Sequence, residues 1–266
     1  MHIINWWYIL NIKVGDYVTR NSYNNDTLFK VINIIDNIYY LKGVEVRLLA
    51  DSTKEDLLII NNYIEDSFER SNIEYSNIET GEYFYLPAKI LQIDGDDDYL
   101  EKCLKFYRNN GVYAIGKRVE ETDMEKQVPI LLKEYKPDII IITGHDAYYK
   151  KKNDINNLKN YKNTLNFIKA VKMARKYEKS HEKLVIIAGA CQSNYEELIK
   201  AGANFASSPK RVNIHALDPA IIAVTLALTE RNKEIDLKSL LDKTKYGSDG
   251  MGGILSNGLM YVGYPR

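Results

Sequence analysis

Two uninterrupted apolar runs constrain the fold of this chain more than any other feature of its sequence. Four consecutive isoleucines occupy positions 139–142, and a second run occupies positions 184–187. Neither run alternates with polar residues, which is typical of strands buried on both faces at the centre of a parallel sheet. From about Leu86 onward, similar apolar segments alternate with amphipathic helical stretches. This alternation predicts an α/β fold, with helices covering both faces of a mostly parallel sheet.

The sequence predicts four parts in the chain. Residues 1–12 look like an N-terminal extension, and residues 13–60 contain short segments rich in β-branched and aromatic residues. Such segments, separated by turn signals, predict a small antiparallel sheet or β-barrel-like module. Residues 61–83 are rich in Glu, Asn and Ser, which is typical of a linker. We expect residues 84–266 to form the large α/β domain.

Three local patterns lead to more detailed predictions. Residues 154–179 predict one long helix, and Pro129 predicts an interruption in the helix that precedes the isoleucine run. At the C-terminus, Asn257–Gly258 between two apolar segments predicts a closing hairpin.

The charge and cysteine content limit the partners that we expect. The chain has 36 basic and 36 acidic residues, and this balance argues against broad attraction to nucleic acid or an anionic membrane. Two cysteines fit a reducing compartment better than a disulfide scaffold. The apolar N-terminus lacks the parts of a signal peptide and is too short to span a bilayer, so we expect cytoplasmic synthesis. The sequence carries no signal for an oligomeric state.

A histidine and a cysteine follow the two apolar runs. His145 comes directly after Gly144, and Cys191 comes shortly after Ile187. Ligands of open α/β sheets bind beyond the carboxyl ends of the strands, so these side chains are expected to meet there. An imidazole beside a thiol can generate a nucleophile for acyl transfer. We therefore predict that Cys191 and His145 are catalytic, with backbone N–H groups at Cys191 and near Gly144 as oxyanion donors.

Several carboxylates follow strand ends or precede helices and could line a primary specificity pocket. Asp94 and Asp96 are the stronger candidates, although carboxylates there also suit an ordinary helix N-terminus. Asp146 could instead orient His145 or cap the next segment, and Asp218 is a weaker candidate.

Other residues offer alternatives to this assignment. Ser193, Ser207 and Ser208 are candidate nucleophiles, but no Gly-x-Ser-x-Gly motif surrounds them. His215 could belong to the site or simply begin a helix. Cys103 lies on the apolar face of a predicted helix, which favours core packing. The acidic run at 94–98 lacks the pattern of a calcium loop, and no nucleotide motif is present, so we expect neither metal nor cofactor.

Five segments resemble the YabG family of sporulation-specific peptidases, and the resemblance extends from about Lys13 to the C-terminus. The segments are VGDYVTR, DGDDDYLEKCL, ITGHDAY, AGACQS and AGANFASSPKRVNIHALDP. The resemblance implies a protease of spore-forming Firmicutes. It also implies a sporulating cell, protein substrates among spore-coat and germination-related precursors, and an association with the spore coat.

The histidine precedes the cysteine by 46 residues, a spacing similar to that of the caspase, legumain, clostripain and gingipain clan, clan CD. This similarity implies a caspase-like α/β/α sandwich and, as in several relatives, cleavage after a basic residue such as Arg. The pattern departs at Asp146, where the clan usually has Gly. It departs again at Gly189, where the clostripain pattern has Asp.

Two other functions remain open on the sequence. The chain could be a non-catalytic scaffold for spore assembly that keeps a vestigial site, or another thiol-dependent hydrolase such as an amidase. An intact Cys and His at both strand ends argue against the scaffold.

Overall fold

The computed structural model describes residues 12–61, 63, 83–149 and 154–264, which form two compact units. The first unit comprises residues 1–66 and the second comprises residues 67–266. The expected extension at 1–12 and the expected linker at 61–83 fall almost entirely outside the described residues. Across the ranges that are described, no helix has both the length and the apolar character needed to cross a membrane.

The first unit contains an antiparallel sheet of five strands in the order β4-β3-β2-β1-β5. The strands are β1 (Tyr17–Arg20), β2 (Phe29–Ile35), β3 (Ile38–Gly43), β4 (Leu49–Thr53) and β5 (Leu57–Ile59). Alternate residues such as Val18, Phe29 and Leu41 are fully buried, as expected for a sheet with one face against a core. Asp36 and Asn37 both have positive φ at the turn between β2 and β3, which suits a tight hairpin. The antiparallel sheet is therefore confirmed, and closure into a barrel stays a prediction.

The second unit is built on a six-stranded sheet in the order β12-β11-β10-β9-β7-β8. Its strands are β7 (Ile90–Asp94), β8 (Ala114–Arg118), β9 (Ile139–Thr143), β10 (Val185–Ala188), β11 (Phe205–Ser207) and β12 (Met251–Gly253). All neighbouring strands run parallel except β12, which is antiparallel to β11. A separate two-stranded ribbon pairs β6 (Phe84–Leu86) with β13 (Tyr261–Gly263).

Helices pack against both faces of this sheet. They are α1 (Asp97–Asn109), α2 (Met124–Tyr135), α3 (Thr164–Tyr177), α4 (Tyr195–Lys200), α5 (Asp218–Leu228), α6 (Leu237–Leu241) and α7 (Gly247–Gly250). Helices α2, α3 and α4 share one hydrophobic cluster with alternate residues of β7, β9 and β10. Helices α1 and α5 contact the same strands and each other on the remaining side. The predicted α/β fold with a mostly parallel sheet is thus confirmed.

The two apolar runs form the centre of the sheet. All described residues of β9 and β10 are buried, and the two strands pair directly, with Ile142 opposite Ala188. Burial of each isoleucine side chain stabilises the fold by about 1.5–3 kcal/mol. The two runs are therefore adjacent central strands, and the predicted central position is confirmed.

The expected long helix at 154–179 is much shorter than the sequence pattern suggested. Helix α3 begins only at Thr164. Upstream of it, the side chain of Asp154 accepts from the Asn156 backbone N–H, and that of Asn157 accepts from the Lys159 N–H. Such side-chain bonds to the backbone compete with helix formation, so this Asn-rich segment forms turns instead.

Pro129 does not interrupt its helix, because α2 is continuous from Met124 to Tyr135. Val128 and Leu132 on either side of the proline are fully buried. Packing of this apolar face holds the helix despite the hydrogen bond that the proline cannot make.

The predicted C-terminal hairpin is wrong. Strand β12 pairs with β11, β13 pairs with β6, and Asn257 forms an isolated bridge with Glu234. The two final strands pair with more distant partners, so tertiary contacts override the local turn signal.

Candidate active site

The turns after β9 and β10 lie side by side at the carboxyl edge of the sheet. Because Ile142 pairs with Ala188, His145 and Cys191 each lie three residues beyond a directly paired position. The hydroxyl of Thr143 donates to the Gly189 carbonyl at 2.8 Å, and the Gly189 N–H donates to the Ile142 carbonyl at 3.0 Å. The backbone of Gly189 has φ +104°, a conformation that favours glycine. These contacts hold the two turns in register.

The imidazole of His145 is held by a carboxylate from a third strand end. Its Nε2 lies 3.0 Å from Asp96 Oδ2, and both side chains are only about a tenth exposed. Asp96 also caps α1, because its Oδ1 accepts from the backbone N–H groups of Asp98 and Tyr99. The Tyr99 ring meets the imidazole edge-on, with centroids 5.7 Å apart. Asp96, expected as a specificity residue, thus orients the histidine ring in this structure.

Glu121, which precedes α2, is a site residue that the sequence analysis missed. Its Oε1 accepts a hydrogen bond of 2.7 Å from the His145 backbone N–H, and the side chain is largely buried. The carboxylate lies where a Cβ on Gly95 or Gly144 would have to stand. Both strand-end turns are therefore shaped around it. Glu120 and Glu121 are adjacent glutamates in the same segment, and no feature of the local sequence indicates which of the two is buried.

Cys191 is fully buried beneath residues 208–215, which we call the strap. The Ile214 N–H donates to Cys191 Sγ at 3.3 Å, and Sγ lies 3.7 Å from the Ile214 carbonyl. Next to the thiol, the Gln192 N–H donates to the Val212 carbonyl at 3.0 Å, and Gln192 Nε2 donates to Asn213 Oδ1 at 3.1 Å. The backbone at Ile214 therefore lies directly against the thiol.

Asp146 is buried and ties the two turns to α3. Its carboxylate accepts from the N–H groups of Ala147 and Asn163 and from the hydroxyls of Thr164 and Ser193. Burial raises the pKa of Asp146 above its ordinary value, and these hydrogen bonds oppose the rise. Ser193 also accepts from the Ala190 N–H, so the carboxylate reaches the cysteine turn through one hydroxyl.

Asp94 and Asp218, the other two pocket candidates, are fully buried. Asp94 accepts from Gln92 Nε2 at 3.0 Å and from the Asp96 N–H at 3.1 Å. Asp218 accepts from the backbone N–H groups of His215 and Lys245 at 2.8 and 3.0 Å. Both carboxylates thus receive hydrogen bonds from groups within the fold.

The secondary candidates are the last residue of β11 and the two end residues of the strap. Ser207 is fully buried at the end of β11, and its Oγ has no hydrogen-bond partner among the described residues. Ser208 has φ +68° and donates its hydroxyl to the Val212 carbonyl at 2.6 Å. The Nδ1 of His215 accepts from the Leu217 N–H at 3.1 Å.

Cys103, expected in the core, is fully buried on α1. Its Sγ lies 3.5 Å from the Ala216 carbonyl. Over the parts of the chain that the structure describes, no three His, Cys, Asp or Glu side chains are grouped so that they could hold a metal ion.

The comparisons with known proteins agree with one another. The family model described as YabG peptidase U57 matches residues 13–77 and 61–265. The sporulation-specific protease YabG of Bacillus subtilis (strain 168) is 38% identical over 286 aligned residues, which cover 96% of this chain and 99% of that protein. Matches of this extent establish the family, and this chain belongs to the YabG peptidase U57 family.

Proposed function

We propose that this peptidase is a cysteine endopeptidase of the sporulating cell, with Cys191 as nucleophile and His145 as its proton-transfer partner. The observation that carries the proposal is the matched position of these two residues, each three residues beyond a directly paired position of β9 and β10. A thiol and an imidazole in neighbouring turns at one sheet edge support this assignment, because an activated cysteine needs a base within hydrogen-bond reach.

In the proposed mechanism, the Cys191 thiolate attacks the carbonyl carbon of the scissile peptide bond. The negative charge on the resulting oxyanion is stabilised by backbone N–H groups at Cys191 and Gly144. His145 donates a proton to the leaving amine, the C–N bond breaks, and a thioester remains on Cys191. Water, deprotonated by His145, then attacks the thioester, and this step releases the acid and regenerates the thiol.

Asp96 completes this arrangement as a positioning residue. Its carboxylate at Nε2 favours the tautomer with a proton on that nitrogen, so that Nδ1 serves the thiol. The same carboxylate stabilises the imidazolium that forms when the thiol loses its proton.

The substrates that we propose are precursors of spore-coat and germination-related proteins, cut after a basic residue such as Arg. The similarity to the sporulation-specific protease of B. subtilis supports a role in sporulation. We further propose a caspase-like arrangement of the α/β domain and, in the mature spore, an association with the coat. A carboxylate would recognise the basic side chain through charge-assisted hydrogen bonds.

Replacement of the nucleophile tests the proposal directly. Wild type should cleave a coat-precursor protein, whereas Cys191→Ala and His145→Ala should lose nearly all cleavage, by about 10³-fold or more. Cys103→Ala serves as the control for loss of a buried thiol, and Ser207→Ala tests the serine alternative; both should keep their activity. Equal cleavage by wild type and Cys191→Ala would show that the nucleophile lies elsewhere.

A further inference from the structure

The strap carries an arginine whose side chain is held by polar groups of the neighbouring segments. Arg211 donates from Nε to Tyr161 Oη at 2.9 Å and from Nη2 to the Glu196 carboxylate. Its Nη1 donates to the carbonyls of Ser208 and Pro209, each at 3.2 Å. The Arg211 side chain is only 12% exposed. We call the pair Tyr161 and Glu196 the guanidinium cradle.

A continuous set of contacts joins this cradle to the proposed nucleophile. Val212, which follows Arg211, accepts its hydrogen bond from Gln192, which follows Cys191. The Oε1 of Gln192 accepts from the Tyr148 N–H at 3.1 Å, and the Tyr148 and Tyr161 rings lie 5.1 Å apart. Arg211 is therefore anchored within two residues of the backbone that contacts the cysteine turn.

The two cradle residues come from the segments that follow the two catalytic turns. Tyr161 forms an isolated β-bridge with Tyr148, shortly after His145, and Glu196 lies in the first turn of α4, shortly after Cys191. The Glu196 side chain is 53% exposed, so a group from solvent can reach it. A planar cation held by a carboxylate and a phenol is the geometry that arginine recognition uses.

The aspartates considered earlier are less suited to this role. Asp94, Asp146 and Asp218 are buried and accept hydrogen bonds from backbone or interior side chains. Asp96 is committed to His145 and to the cap of α1. Glu196 differs from all four, because it is about half exposed and the cation that it binds, Arg211, belongs to the strap over Cys191.

We propose that the guanidinium cradle binds an arginine side chain of the substrate next to the scissile bond, and that Arg211 fills it in the unliganded enzyme. This inference rests on the proposed cysteine endopeptidase. Arg211 then acts as an internal competitor: a substrate arginine takes its place, the strap leaves the thiol, and the scissile carbonyl gains access to Cys191.

Fluorogenic peptide amides, in which the amine of the reporter follows arginine or citrulline, its uncharged isostere, test the cradle. Wild type should prefer the arginine peptide, and Glu196→Gln should reduce this preference by about tenfold or more, mainly through KM, because a charge-assisted hydrogen bond is lost. Glu197→Gln is the matched control, since Glu197 lies in the same turn and pairs with Lys200. It should leave the preference unchanged.

Alkylation of Cys191 by iodoacetamide, located by mass spectrometry, tests the role of Arg211. Arg211→Gln should raise the alkylation rate by about tenfold, because the open strap becomes more populated. An arginine-terminated peptide amide should slow alkylation in this variant, and the citrulline peptide should not. Thermal melts of both variants check that the fold is retained.

The outcomes separate this inference from the function on which it rests. The cradle would be overturned if Glu196→Gln kept the full preference for arginine, or if wild type showed no such preference. The cysteine peptidase would still stand in either case, provided that Cys191→Ala lost cleavage. Cleavage that survives Cys191→Ala would overturn the proposed function itself. If wild type cleaves neither peptide, the alkylation experiment decides. The cradle is overturned if the arginine peptide fails to slow the alkylation of Cys191 by iodoacetamide in Arg211→Gln.

Discussion

At the scale of single residues, three neighbouring carboxylates have different structural roles in the site. Asp96 faces the His145 ring, Glu121 holds the His145 backbone, and Asp146 joins the turns that carry His145 and Cys191. Each is placed by hydrogen bonds from backbone N–H groups or hydroxyls, which fix its direction. Catalysis should therefore respond differently to the loss of each carboxylate, although all three lie close to the same histidine.

Asp96→Asn separates the orienting role of Asp96 from its role as a helix cap. Asparagine is an equally good N-cap, so the melting temperature should change by only a few degrees. An amide donor at Nε2 favours the wrong tautomer of His145, and kcat should fall by about 10²–10⁴-fold with little change in KM. Asp98→Asn, an exposed neighbour in the same turn, is the control. A kcat for Asp96→Asn equal to that of the control would contradict the orienting role.

At the scale of elements, the turns after β7 and β9 are organised around one side chain. The Gly95 N–H donates to the Thr143 carbonyl at 3.0 Å, and the Glu121 carboxylate fills the space that both glycines leave. The loop before α2 thus sets the relative position of Asp96 and His145.

Glu121→Ala should damage both stability and activity. It leaves the buried His145 N–H without its acceptor, so the free energy of unfolding should fall by about 1–3 kcal/mol. We expect kcat to fall by about tenfold or more, because the histidine turn loses its support. Glu121→Gln retains an acceptor oxygen and should recover most of both quantities.

Urea denaturation and steady-state kinetics measure these effects, with Glu120→Ala as the matched control. Glu120 is exposed and pairs with Arg118 at the surface. Its loss should lower the free energy of unfolding by at most about 1 kcal/mol. Equal losses in Glu120→Ala and Glu121→Ala would argue against a special role for the buried carboxylate.

The sequence predicted the elements whose signal is local and missed those decided by distant partners. The isoleucine run and its neighbour could be assigned to central strands because continuous apolar runs have few other solutions. The start of α3 at Thr164 was not predictable, because side-chain hydrogen bonds to the backbone decide it. The partner of β12 was not predictable either, because β12 pairs with a strand that is distant in the sequence. In the site, the positions of Cys191 and His145 at strand ends could be predicted. The contact of Asp96 with the imidazole and the burial of Glu121 required the packing of three strand ends.

At the scale of the whole molecule, one buried group links folding to the geometry of the site. Asp146 joins the turn after β9, the start of α3 and, through Ser193, the turn after β10. These segments are separated by long stretches of sequence, so their contacts form only when the domain is folded. The protonation state of Asp146 should therefore influence the stability of the α/β domain as a unit.

The stability of wild type relative to Asp146→Asn should rise as the pH falls from neutral toward about pH 4. Burial raises the folded-state pKa of Asp146 above its unfolded value near 3.9, so between these two values the folded state binds more protons. The cost of burying the charge is full above the folded pKa and disappears below the unfolded one. Asparagine carries no such cost at any pH, and the Thr164 and Ser193 hydroxyls can accept from its amide. Urea denaturation across this range measures the difference, and parallel profiles for the two proteins would contradict it. Asp154→Asn provides the control, because Asp154 is an exposed carboxylate in the sequence between the same two turns.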